Sequence, residues 1–190
     1  MDEKKVLDLF AKAGVMKEGH FRLTSGKHSE RYMQCAQLMQ YPEYTAEACQ
    51  GLKEQIGQEK VDVVIGPATG AITLSYEMGR TLGTRALFAE RENGKMTLRR
   101  NFSIAPGEKV LVVEDVITTG GSVKEVIEVV KELGGEVVGV ACIVNRSGGK
   151  ADFGTKLYSL INLEIKTYEP EECPLCKQGI PVVKPGSRKI

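Results

Sequence analysis

Between residues 61 and 145 the apolar positions fall in short unbroken runs. VDVVI (61–65), RALFA (85–89), KVLVV (109–113) and EVVGVACIVN (136–145) are four of them. None alternates polar with apolar residues, which is the signature of strands covered on both faces. A helical segment is predicted over 71–82, after the turn GPATG (66–70). A second spans 121–133, with Val123, Ile127, Val130 and Leu133 on one face and Gly134-Gly135 as its stop. Upstream, Val6, Leu9, Phe10 and Ala13 predict a helix over 2–13 that Gly14 ends. Ala46, Cys49, Leu52 and Ile56 predict another over 43–57, with Pro42 in its first turn and Gly57 at its end. Strand, loop and helix alternate, so the expected fold class is α/β, a parallel sheet flanked by helices. GHFRLTSGKHSERYMQC mixes turn residues with short alternating stretches. ERENGKMTLRRNFSIAPGE (90–108) is polar, contains glycine and proline, has little clear periodicity, and reads as a long loop.

Composition narrows the function. A chain of 190 residues fits one domain with a sizeable core. Its net charge of +1 lacks the basic surplus expected if nucleic-acid binding were the main task. No apolar run approaches the ~18 residues of a membrane span, and MDEKKVLDLF lacks a signal-peptide core, so a cytoplasmic protein is expected. The five cysteines are an odd count without an export signal, which favours reduced thiols. CPLC (173–176) has zinc-knuckle spacing, but a structural zinc wants four ligands and no second CxxC exists. His20 and His28 lie far away in sequence, so a plain tight turn is expected at Cys173 and Cys176.

The stretch VLVVEDVITTGGS (110–122) carries the chemistry. A buried strand runs into Glu114 and Asp115, then into a loop of Val116, Ile117, Thr118, Thr119, Gly120, Gly121 and Ser122 that opens a helix. In open α/β sheets, ligands sit beyond the carboxyl ends of the strands. Glycines let the backbone approach a ligand, and amides plus hydroxyls at a helix N-terminus cradle an anion. The acids do not suit phosphate. They suit vicinal hydroxyls or a hydrated Mg²⁺, so one site holding both wants a sugar phosphate. No G-x-x-x-x-G-K-[ST] occurs, and no G-x-G-x-x-G follows a strand, which weakens the nucleotide-loop alternatives. The bland alternative is a turn whose acids and hydroxyls merely cap the helix, but a cap uses one side chain and this motif offers several.

The same stretch resembles the phosphoribosyl-pyrophosphate (PRPP) motif of type I phosphoribosyltransferases. The resemblance implies that Glu114 and Asp115 bind the ribose hydroxyls, and that Thr118, Thr119, Gly120, Gly121 and Ser122 bind the 5-phosphate. GHFRLTSGKHSERY (19–32) resembles the N-terminal signature of orotate phosphoribosyltransferases. GPATGAI (66–72) resembles their pyrophosphate loop, AERENGKMTLRR (89–100) their mobile catalytic loop, and IVNR (143–146) their strand ending in a base-binding arginine. The resemblance implies a type I fold: a central, mostly parallel PRPP-binding sheet over 60–150, an N-terminal base-binding hood over 1–40, and a mobile catalytic loop over 90–108. It implies transfer of phosphoribose from PRPP to orotate in pyrimidine (UMP) biosynthesis, with Mg²⁺, in a homodimer whose catalytic loop reaches the neighbouring site. No nucleic acid or membrane partner is expected. Arg91, Lys95 and Asp115 are the expected catalytic residues. Ala68 and Thr69 join the PRPP site, with a cis peptide between them. Thr118, Arg146, Ser25, Gly26 and Lys27 would hold orotate. The Arg146 fork suits an anionic, planar edge. Two departures stand out: Gly70 and Thr24 occupy places where some members carry lysine. A purine phosphoribosyltransferase and a PRPP-sensing, nucleic-acid-binding regulator are the alternatives. FRLTSGKHS weighs against the first, and the small net charge against the second.

Overall fold

The computed structural model describes residues 1–23 and 25–185. Helix α1 (Glu3–Ala13) leads into an antiparallel hairpin, β1 (Met16–Arg22) and β2 (His28–Met33). The short α2 (Ala36–Met39) and α3 (Pro42–Ile56) follow. The main unit then runs β3 (Val63–Pro67), α4 (Ile72–Leu82), β4 (Arg85–Glu92), β5 (Lys95–Leu98), β6 (Lys109–Ile117), α5 (Gly121–Glu132), β7 (Glu136–Asn145) and β8 (Leu157–Asn162). A final turn, α6 (Pro174–Lys177), lies in the tail. The six-stranded sheet has the order β5-β4-β3-β6-β7-β8. All its pairs are parallel except β4 with β5.

Strand periodicity splits the core into two layers. Val64, Leu111, Val113, Ala141 and Ile143 pack with α1, α3 and α4 on one face. Val63, Ile65, Val110, Val112, Val140 and Cys142 pack with Val123, Val126, Ile127 and Val130 of α5 on the other. Both faces are covered, which explains the unbroken apolar runs. At Gly66 the sheet packs so closely that an added Cβ would lie 2.6 Å from the Val113 carbonyl oxygen. Among the described residues, no helix is long and apolar enough to cross a membrane.

Several expectations need correction. Residues 90–98 are not loop: β4 runs on to Glu92 and turns back as β5. Asn93 and Gly94 both take positive φ, 51° and 82°, the conformation of a two-residue hairpin turn. The Asn-Gly pair was the available signal. Within 1–40, Val6, Leu9 and Phe10 of α1 and Met33 of β2 pack into the main core. The sheet does not stop at 150, because β8 adds a parallel edge strand. Strand β6 continues past its two acids to Ile117.

Candidate functional site at the carboxyl edge of the sheet

The site starts from β6. Glu114 pairs with Cys142 of β7, and pairing persists at Val116 with Val144 and Ile117 with Asn145. The acids are therefore held inside a strand, and the loop proper begins at Thr118. Gly120 then takes the left-handed conformation (φ 77°) and serves as N-cap of α5, with no side chain capping the helix. An added Cβ there would lie 2.8 Å from the Phe153 ring, so glycine is required by space as well as by φ. The capping alternative fails on this point: Thr118, Thr119 and Ser122 do not cap α5 and remain available to a ligand. Glu114, Thr118, Thr119, Gly120, Gly121 and Ser122 enclose a small hollow of about 70 Å³ at the positive end of that helix. It has the size and donor set of a phosphate cradle.

Asp115 faces the turn after β3. A Cβ on Gly70 would sit 3.4 Å from its Oδ1. The Ala68–Thr69 peptide is cis, as the resemblance implies, and the Ala68 amide donates to the Ala89 carbonyl at 2.7 Å. That turn therefore flanks the acids.

The larger cavity, about 790 Å³, opens beside the cradle. Thr118, Thr119 and Arg146 line it from the sheet, and Ser25 and Lys27 from the β1–β2 tip. Gly26, at φ 86°, shapes that tip, where the Gly26 amide donates to the Leu23 carbonyl at 3.0 Å. Thr24 lies outside the described residues. The Arg146 amide donates to the Ile117 carbonyl at 2.7 Å, tying the end of β7 to the start of the phosphate loop. Its Nε is buried without a hydrogen-bond partner. Burial also lowers the Arg146 pKa. Arg22, Tyr32, Lys150, Glu164, Lys184 and Pro185 line the same cavity. Sequence reasoning did not find them, because no local pattern links the tail to the hairpin.

Arg91 and Lys95 are not brought to this cavity within one chain. Arg91 forms a two-pronged pair with Glu125 of α5, at 2.7 and 2.8 Å. Lys95 lies 3.8 Å from Glu132, further along the same helix.

Comparison with known proteins places this geometry. The model of the phosphoribosyl transferase domain matches residues 40–172. The orotate phosphoribosyltransferase of Desulforamulus reducens is 62% identical over 190 residues, covering 100% of both chains. That of Caldanaerobacter subterraneus is 60% identical with the same coverage. The chain belongs to the orotate phosphoribosyltransferase family. The crystal structure of the Aeropyrum pernix orotate phosphoribosyltransferase superposes with a TM-score of 0.74 at 27% identity, over 83% of this chain and 93% of that one. The Mycobacterium tuberculosis orotate phosphoribosyltransferase in complex with PRPP gives 0.67 at 26% identity, over 84% and 94%. The expected family and fold are thereby borne out.

The electrostatics of the acid pair carry a testable consequence. Burial pushes the Glu114 carboxyl well above the usual carboxylate range, and the neighbouring Asp115 charge adds to the shift. Burial raises Asp115 too, against hydrogen bonds that favour its charge. The folded ligand-free chain thus keeps a proton that the unfolded chain releases above about pH 5. Stability from this source is full below the ordinary glutamate pKa and is lost as pH rises through the raised one. Melting temperature measured in steps between about pH 5 and 8 should therefore fall less in Glu114→Gln than in the unsubstituted chain. Equal pH dependence in the two would contradict the shared-proton description.

Proposed function

We propose that the chain uses this one cavity to transfer the phosphoribosyl group of PRPP to orotate, releasing pyrophosphate and orotidine 5-monophosphate. The observation that carries the assignment of residues is that two adjoining hollows share Thr118 and Thr119. The glycine-lined anion cradle and the cavity lined by Arg146 meet at those two threonines. Arg146 is only half-buried, so its guanidinium fork can present donors in the cavity to an anionic planar ligand. Ser25 and Lys27 approach from the hairpin to meet the same ligand, with Gly26 giving the tip its turn.

In this assignment the ribose hydroxyls bind Glu114 and Asp115, while the 5-phosphate takes the amides and hydroxyls of residues 118–122. Val116 and Ile117 hold the acids and cradle in register. The turn at Ala68 and Thr69 takes the pyrophosphate end. With the sugar gripped at both sides of C1, the C1–oxygen bond to pyrophosphate breaks and the orotate nitrogen forms the new bond. The transition state gains positive character on the sugar and negative charge on pyrophosphate, so positioned charges matter most. The oxygen donors of Glu114 and Asp115 fit Mg²⁺, held through PRPP and water. When bound, Mg²⁺ offsets charge on the departing pyrophosphate.

Arg91 and Lys95 are assigned to the neighbouring subunit's site in a homodimer. The β4–β5 hairpin carries both away from their own cavity, which supports a role in trans. Mixing protein, Mg²⁺, PRPP and orotate should consume the orotate absorbance, whereas adenine, hypoxanthine and xanthine should not react. Turnover of a purine with orotate untouched would overturn the assignment. Asp115→Asn and Lys95→Ala should each lower turnover by about 10²-fold while the fold survives. Mixed dimers of these two variants should regain about a quarter of normal activity, since half the dimers would hold one intact site. No recovery on mixing would place the hairpin lysine outside the partner's site.

A further inference from the structure

Behind the roof of the cavity, four side chains from opposite ends of the chain converge. They are His20 of β1, His28 at the start of β2, and Cys173 and Cys176 around α6. Their candidate ligand atoms all lie within 4.8 Å of one another. His20 Nε2 is 2.9 Å from His28 Nδ1, 3.4 Å from Cys173 Sγ and 3.7 Å from Cys176 Sγ. Cys176 Sγ is 3.3 Å from His28 Nδ1. A tetrahedron with Zn–N of about 2.0 Å and Zn–S of about 2.3 Å has edges of about 3.3–3.8 Å, close to these separations. We propose that His20, His28, Cys173 and Cys176 form a structural zinc site that pins the C-terminal tail onto the β1–β2 hairpin.

The tautomers favour it. His20 Nδ1 lies 2.7 Å from the Ile180 carbonyl oxygen, an acceptor, so Nδ1 carries the ring proton and donates. Nε2 is left with a single lone pair, and three neighbouring groups face it. Without a metal only one of them can use that lone pair. A central cation takes it together with one lone pair from each of the other three. A backbone carbonyl on the far nitrogen is also the usual way a metal-binding histidine is oriented. His20, His28 and Cys173 are buried, at 4%, 6% and 0% exposure, while Cys176 is exposed, so three ligands are shielded from water and the fourth leaves an entry path for the ion. Two nitrogens and two sulfurs in a closed tetrahedral set select zinc over harder ions. Binding is balanced as two thiols, two neutral imidazoles and Zn²⁺ giving a neutral Zn(Cys)₂(His)₂ unit and two protons.

Local sequence explains the convergence. Cys173 and Cys176 are separated by one turn started by Pro174, so both face the same side. The β1–β2 register shifts between Glu18 and Phe21, and such an irregularity re-aims the side chains it contains, His20 among them. The plain-turn expectation at CPLC was therefore incomplete: the two histidines supply what a second CxxC would have supplied.

The far end of the hairpin and the tail lie outside the core layers that hold the hairpin's base at Met33. Neither core layer includes Phe21 or Cys173. The tail beyond α6 is weakly buried, with Val182 and Val183 exposed at 44% and 56%. Yet it adds a backbone pairing, in which the Arg22 amide donates to the Val183 carbonyl at 2.9 Å and the Val183 amide donates to the His20 carbonyl at 2.8 Å. The next residues, Lys184 and Pro185, line the cavity beside Arg22. Small units without their own core are commonly held by metal or disulfide.

The test uses the full-length chain, free of any metal-binding tag, expressed with zinc present. Elemental analysis should find about one zinc per chain, falling below about a tenth in Cys176→Ser and staying near one in Cys49→Ala. Cobalt exchanged into the unsubstituted chain should give thiolate charge-transfer absorption and tetrahedral d–d bands. Metal removal by a chelator should speed hydrogen exchange at the Val183 amide. Zinc near zero with no cobalt–thiolate band, zinc retained equally in Cys176→Ser, or a Cys173–Cys176 disulfide in the purified chain would each overturn the site. Exchange at Val183 unchanged by zinc removal would overturn the pinning. Should Cys176→Ser fail to fold, the zinc and cobalt measurements on the unsubstituted chain decide the matter alone.

Discussion

Two carboxylates stand near the end of a central strand, held there by the neighbouring strand β7. Strand β6 is bonded to β3 on one side and β7 on the other, and its pairing with β7 runs past the acids to Ile117. Glu114 and Asp115 cannot swing out into water as loop residues would. Burial and mutual repulsion then disfavour two charges, and the pair holds a proton instead. In the proposed assignment, the hydroxyls of a ligand relieve that situation with hydrogen bonds. The same fixed strand end places the left-handed Gly120 at the start of α5, so acids and anion cradle keep a constant separation. That separation is what the proposed binding of one sugar phosphate across both depends on.

The residues of the candidate site come from parts of the molecule that are packed differently. The sheet and α5, packed by two apolar layers, supply the acids and the cradle. The larger cavity is assembled from pieces far apart in sequence: Arg146 just after β7, Ser25 and Lys27 from the hairpin, Lys184 from the tail. Besides the backbone pairing of Val183 with the hairpin, two further links join these pieces. The Arg146 amide binds the Ile117 carbonyl, and Lys27 pairs with Glu169 at 2.7 Å. The proposed histidine–cysteine zinc site would add a stronger one.

The parallel sheet was legible because strands buried on both faces leave long apolar runs, and the helix stops at Gly14 and Gly57 were marked by glycine. The cradle was legible because its chemistry is contiguous in sequence. The β4–β5 hairpin was missed although Asn93-Gly94 advertised it, since its flanks are charged and read as loop. Strand β8 gave little signal: it is an edge strand with mixed burial. The contributions of Lys184, Pro185, His20 and His28 were hidden for a different reason. Each depends on contacts between residues more than a hundred positions apart, which no window of sequence contains.

The central claim is that one ribose 5-phosphate spans the acids and the cradle. Calorimetric titration of the chain with ribose 5-phosphate and with its 2-deoxy analogue tests it most directly, in the unsubstituted protein and in the Glu114→Gln, Asp115→Asn double variant. A lost hydrogen bond to a charged group predicts about 10-fold or greater preference for the ribose form in the unsubstituted chain, and near-equal affinities in the double variant. Equal affinities in the unsubstituted chain, or a preference that survives loss of both acids, would contradict the account.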